Sequence, residues 1–317
     1  MTPMAIRVAA TLRIADHVDA GTQTAPALAA AAGADPVTLD RLLRHLVTAD
    51  VLRRDDAGQY SLTAAGEALR DEQPGGLRAV LDLDGGVGRA DLSFAQLLHS
   101  VRTGEAAFPA QFGRSFWDDL AADPARAGAF DAQMGSDVTA WAPAILGALD
   151  WGSLRHVVDV GGGNGALLIA LLTEHPDLRG TVVELPATAA AASARFADSG
   201  LSDRADAVAG SFFDALPPGA DGYLLTAVLH NWDDESAGRI LHRCAEAAGT
   251  AGRVFVIEKI GVDGESPGTE MDLRMLAYFG GRERSLDELT ALAEASGFRP
   301  LTVHRAGAIS ILELRAG

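Results

Sequence analysis

The stretch VVDVGGGNGALL, Val157 to Leu168, decides how the rest of the chain is read. An apolar, β-branched run ends in three consecutive glycines, an asparagine and a fourth glycine, and a helix-forming run follows. Strand, glycine turn and helix in that order bring backbone N–H groups up to a nucleotide-like ligand. Gly161, Gly163 and Ala166 satisfy the dinucleotide pattern G-x-G-x-x-G/A, while Gly161, Gly163 and Gly165 satisfy a tighter G-x-G-x-G loop. No Lys-Ser/Thr pair follows, which excludes a P-loop. Glu184 lies at the end of the next apolar run, placed to accept hydrogen bonds from ribose hydroxyls, as it would for NAD or for another nucleoside. Asp159, two residues before the loop, discriminates better. A carboxylate there suits a cationic amino group more than a pyrophosphate, and points to the amino-acid end of S-adenosylmethionine.

Downstream of Leu154, the runs HVVDV, GTVVEL, ADAVAG, GYLLTAVLH and RVFVIEKI alternate with helical segments. That alternation predicts an α/β, Rossmann-like domain with a mostly parallel sheet covered on both faces. LTVHR and ISILEL are joined by only three residues, too few for a parallel crossover, so they should close the sheet as an antiparallel hairpin. Upstream, apolar residues recur at helical spacing over residues 4–20, which predicts one amphipathic helix and no signal peptide. A short helix, a glycine turn, a helix after Pro36 and two extended pieces, Val51–Arg54 and Gln59–Leu62, give a winged-helix layout. The expected division is a winged-helix-like dimerisation domain over 1–90, a helical linker contributing to an acceptor pocket over 91–150, and a cofactor-binding catalytic domain over 151–317.

Charge restricts the partners. The 317-residue chain carries a net −17, and residues 1–70 hold seven Arg, no Lys and eight acids. A DNA-reading winged helix needs a basic face, so no nucleic-acid partner is expected, and an anionic membrane surface is disfavoured on the same ground. The single cysteine, Cys244, leaves no intrachain disulfide and reads as a buried, inert thiol. No His/Asp/Glu cluster has metal-ligand spacing, so no metal is expected. With no apolar run long enough to span a bilayer, the expected location is the cytoplasm. The aromatic residues Phe108, Phe112, Phe116, Trp117, Phe130 and Trp141 are read chiefly as core.

VVDVGGGNG, VVELP, GSFFDALPPGADGYLLTAVLHNWDDESAGRIL, RVFVIEKI and MDLRMLAYFGGRERSLDELTALAEASGF occur in a characteristic order. In that order and over essentially the whole length, the chain resembles S-adenosylmethionine-dependent O-methyltransferases of the plant caffeate type and of bacterial aromatic polyketide biosynthesis. The resemblance implies a homodimer using S-adenosylmethionine, releasing S-adenosylhomocysteine and methylating a phenolic hydroxyl of an aromatic secondary metabolite. Carried over by position, it places Gly161, Gly163 and Gly165 against the methionyl part and ribose, and Glu184 on the ribose. Ser211 and Phe212 would flank the adenine, with Thr226 and Trp232 behind them. His230 would be the general base, held by Glu258 and Glu283, and Met134, Met275 and Phe279 would form the acceptor wall. Two positions depart from the pattern, which commonly has Asp where Ser211 and Asn231 stand. Some members of this family use the cofactor for hydroxylation, decarboxylation or pericyclic steps instead. An NAD oxidoreductase and a winged-helix regulator are the readings from other classes.

Overall fold

The alternation of buried apolar strands with helices builds a seven-stranded sheet in the computed structural model, which describes every residue except 74, 262 and 267. By contact the chain divides into two units. One comprises Met1–Leu92 and Trp117–Gln133, the other Ser93–Phe116 and Met134–Gly317.

In the first unit the N-terminal stretch is two helices, not one. Thr2–Thr11 and Ile14–Asp19 are separated by Arg13 in the left-handed region at φ 53. Tertiary bonds compensate for that strained residue. The Arg13 guanidinium pairs with Asp71, and the Thr11 hydroxyl accepts from the Leu83 N–H at 2.8 Å. Helices Ala25–Ala32 and Pro36–Thr48 follow, the latter capped by Asp35, and then a hairpin of β1 (Leu52–Arg54) and β2 (Tyr60–Leu62). Helices and hairpin share a core of Ile14, Leu28, Leu43, Leu46 and Tyr60. This is the winged-helix pattern.

In the second unit the strands are β3 (His156–Val160), β4 (Arg179–Glu184), β5 (Ala205–Ala209), β6 (Gly222–Thr226), β7 (Arg253–Glu258), β8 (Phe298–Ala306) and β9 (Ile309–Ala316). Their order is β5-β4-β3-β6-β7-β9-β8, parallel from β5 through β7 and antiparallel for the last two. Strand alternation divides the apolar side chains between two faces. Val158, Val160, Tyr223, Leu225, Val254 and Val256 pack on one side, and Val157, Leu224, Phe255 and Ile257 on the other. Pro300, which cannot donate to a ladder, sits in edge strand β8 beside a register shift.

The order in which strands are added reverses between β3 and β6, which are parallel. From β3 the chain runs outward through β4 and β5, and then returns to β6 and β7. In open α/β sheets, ligands bind outside the carboxyl ends of the strands at such a switch point. Asp159, Glu184, Thr226 and Glu258 all lie at or next to those ends.

Candidate active site

The loop after β3 fits a nucleoside-type ligand, but its glycines do different work. Gly161, Gly163 and Gly165 all take positive φ, of 71, 57 and 77°. A side chain at Gly161 would meet Val228 and Phe212 at 3.1 and 3.3 Å, and one at Gly165 would meet the Phe196 ring. At Gly163 nothing lies within 4 Å, so the loop is open there. Behind it, Asp159 is 1% exposed and neither carboxylate oxygen has a hydrogen-bond partner among the described residues. Burial, with the Glu184 charge adding to it, pushes its carboxyl up to about 7. Such a group needs a cation or a donor supplied from outside. The Thr226 hydroxyl is also buried without a partner among the described residues. Glu184 accepts from the Gly163 N–H at 3.2 Å and the Leu185 N–H at 2.8 Å, which ties the second strand end to the glycine loop. These features fit the sulfonium cofactor expected from the sequence.

Phe212, Phe213 and Trp232 form one edge-to-face aromatic group, with centroids 4.9–5.8 Å apart. Ser211 turns its hydroxyl to the Phe213 N–H at 3.2 Å.

His230 stands on a single 3-10 turn, Leu229–Asn231, just beyond β6. Its Nδ1 lies 2.8 Å from Glu283 Oε1 and 3.8 Å from Glu258 Oε2. Glu258, the last residue of β7, accepts the Leu229 N–H at 3.1 Å, while Glu283 also accepts from the Ser266 hydroxyl at 3.2 Å. Burial lowers the imidazole pKa, but Glu258 and Glu283 outweigh it, and the ring sits above its ordinary range. Burial likewise holds Glu258 above the usual carboxylate range. Both carboxylates address Nδ1 and not Nε2.

Met275 is buried on helix Thr269–Phe279, and Met134 and Phe279 are half-buried. The aromatic residues separate into distinct groups. Phe108, Phe116, Tyr278 and Phe279 pack together with centroids 5.0–6.1 Å apart, Phe94 joins through Tyr278, and Phe112 through Phe108. Trp117 and Phe130 pair within the first unit, and Trp141 lies under the Lys259 ammonium. Several residues escaped the sequence reading. Gly135 approaches Asn164 of the glycine loop so closely that a Cβ would overlap its amide. Asp272 accepts the Glu283 N–H at 2.9 Å, and Arg284 is a buried cation beside the His230 turn. A mid-helix glycine and an arginine next to a glutamate were the only signals. Among the described residues no group of three or more His, Cys, Asp or Glu could hold a metal, and no helix is long and apolar enough to cross a membrane.

Sheet order, glycine loop and a histidine–carboxylate cluster define the class of Rossmann-like enzyme that works on a nucleoside-type cofactor. The O-methyltransferase domain family matches residues 94–299, and the O-methyltransferase dimerisation domain matches residues 1–71. The chain is 55% identical over 315 residues to the 2,7-dihydroxy-5-methyl-1-naphthoate 7-O-methyltransferase of Streptomyces carzinostaticus, covering 99% of this chain and 95% of that protein. It is 44% identical to an aclacinomycin 10-hydroxylase of Streptomyces purpurascens, covering 100% and 88%. A solved neocarzinostatin-biosynthesis O-methyltransferase, holding S-adenosylmethionine and 2-hydroxy-5-methyl naphthoic acid, superposes with a TM-score of 0.96 at 54% identity, over 100% and 96% of the chains. The chain therefore belongs to the O-methyltransferase family, as an S-adenosylmethionine-dependent enzyme of aromatic secondary metabolism with an N-terminal dimerisation domain.

Proposed function

We propose that this enzyme methylates a phenolic hydroxyl of a fused-ring aromatic acid of the naphthoate type, with His230 as general base. The observation that supports the reading is the His230 Nδ1–Glu283 Oε1 bond, which engages Nδ1 and would leave Nε2 to take the proton. The cofactor supplies an electrophilic methyl group. Asp159, Glu184 and the open face at Gly163 would hold it, with Gly161 and Gly165 shaping the loop, Ser211 and Phe212 at the adenine, and Thr226 and Trp232 behind. Met134, Met275 and Phe279 would wall the acceptor. A phenol is a poor nucleophile while protonated. His230 would take that proton at Nε2, and Glu283 and Glu258 would stabilise the imidazolium. The domain division stated from the sequence, a homodimeric cytoplasmic enzyme, and the exclusion of nucleic acid and membrane as partners belong to the same proposal.

The relative that is a 10-hydroxylase favours a second reading, oxygen insertion. Incubation with S-adenosylmethionine and hydroxynaphthoates in air, with an added thiol to supply the two electrons that inserting one atom of O2 requires, followed by mass spectrometry, separates the two. Methyl transfer adds a methyl group to the product, whereas hydroxylation adds an oxygen atom. His230→Ala should bind S-adenosylhomocysteine normally and lose methyl transfer by roughly a hundredfold or more. Wild-type turnover in that variant would remove the base assignment.

A further inference from the structure

His230 rides on a short turn that is braced by residues distant in sequence. Ala227, three residues earlier, is in the left-handed region at φ 52, where a non-glycine residue is strained. Within the turn, Asn231 N–H reaches Val228 O at 3.2 Å and Trp232 N–H reaches Leu229 O at 3.1 Å. The Asn231 amide also donates to Ala227 O at 3.3 Å and Glu258 accepts the Leu229 N–H, and further support comes from residues 281–284. Gly281 lies so close to the His230 carbonyl and the Asn231 backbone that a Cβ would overlap both. The Arg282 N–H donates to His230 O at 2.9 Å. Arg284 donates from Nη1 to Leu229 O at 2.9 Å and from Nη2 to Trp232 O at 2.8 Å. Its Nε and Nη2 also bond Asp234 Oδ1, at 2.9 and 2.7 Å.

Arg284 is 4% exposed. A fully buried arginine is uncommon unless its fork is satisfied, and here all three nitrogens are engaged. The planar fork spans two carbonyls and a carboxylate at once, which a lysine ammonium cannot reproduce. Its charge also draws Glu258 down against the effect of burial.

We propose that Arg284 is a positioning residue for methyl transfer, clamping the carbonyls on either side of His230 so that the imidazole is aimed at the acceptor hydroxyl. The clamp rests on the reading of His230 as base, and the test keeps the two apart. Arg284→Met and Arg284→Lys are made alone and in the His230→Ala background. Each is titrated with S-adenosylhomocysteine, and kcat and KM are followed by mass spectrometry of the methylated naphthoate. A displaced base costs turnover, so Arg284→Met should lose about thirtyfold in kcat, with cofactor affinity and acceptor KM kept within about twofold. Arg284→Lys should fall between it and wild type. In the His230→Ala background, Arg284→Met should change the residual rate by less than about twofold, because coupled residues are not additive.

Unchanged kcat in Arg284→Met, or the same fold-loss in both backgrounds, overturns the clamp and leaves His230 standing. Wild-type turnover in His230→Ala alone overturns the base instead. If Arg284→Met does not fold, Asp234→Asn carries the test by loosening the guanidinium. It should cost about threefold in kcat with His230 present and nothing with it absent, and a loss in neither or in both background overturns the clamp.

Discussion

Two glycine-bearing loops serve this site, GGGNG at 161–165 and GGRER at 280–284, and they use glycine in opposite ways. At Gly163 the missing side chain leaves open space above the sheet. At Gly281 the equivalent space is filled by the backbone of the turn that carries His230. On the proposed reading, one loop makes room for the cofactor. The other is a mould for a second loop, and its neighbouring residues complete it through the Arg282 N–H, the Glu283 carboxylate and the Arg284 guanidinium. Cofactor affinity and base geometry should therefore fail separately.

The largest separation is expected for Gly281→Ala. The new methyl would push the His230 backbone outward, and a misplacement of about 1 Å costs on the order of a hundredfold in turnover. S-adenosylhomocysteine affinity, measured by calorimetry, should stay within about twofold of wild type. Gly163→Ala should invert that pattern. The methyl enters the open face from a left-handed backbone, and overpacking of about 2 kcal/mol predicts roughly a thirtyfold loss of cofactor affinity, with kcat at saturation little changed. If Gly163→Ala binds normally, the open face is not the ligand's side, and the contrast between the loops is wrong.

The first loop was legible in the sequence and the second only in part, for a physical reason. Strand, glycines and helix are contiguous in GGGNG, so spacing alone reveals the shape, and Asp159 and Glu184 fall at strand ends that periodicity locates. The parallel sheet and its terminal hairpin were readable for the same reason. Arg284 instead acts on main-chain carbonyls more than fifty residues away, and carbonyls carry no residue identity to read. The break at Arg13 was hidden likewise, because its compensation comes from Asp71 and from the Leu83 N–H. The aromatic residues of 108–141 read chiefly as core, and the sequence did not show that Trp117 and Phe130 belong to a different unit from Phe108 and Phe116.

A smaller effect tests the floor of the first loop. Asp159, raised to about 7, is partly protonated at neutral pH in the ligand-free protein. A bound cation favours its ionised form, so cofactor binding should release a proton. Affinity should then rise about tenfold between roughly pH 6 and pH 8. Calorimetry in buffers of different ionisation enthalpy measures the release directly, and Asp159→Asn should abolish it. Proton release unchanged in that variant would place the titrating group elsewhere.

The smallest effect belongs to the second loop and has only a direction. Protonated His230 cannot accept a proton, so kcat/KM should rise with pH as the imidazolium ionises. Since Glu258 and Glu283 outweigh burial, that limb should lie above the ordinary 6.5. Glu283→Gln removes one of the two charges that hold it there, and the limb should move to lower pH while kcat falls. Gly163→Ala should leave the limb in place, because the first loop contributes nothing to the charge on His230. A limb that shifts in Gly163→Ala, or stays fixed in Glu283→Gln, would mean that the two loops do not divide binding and proton transfer between them.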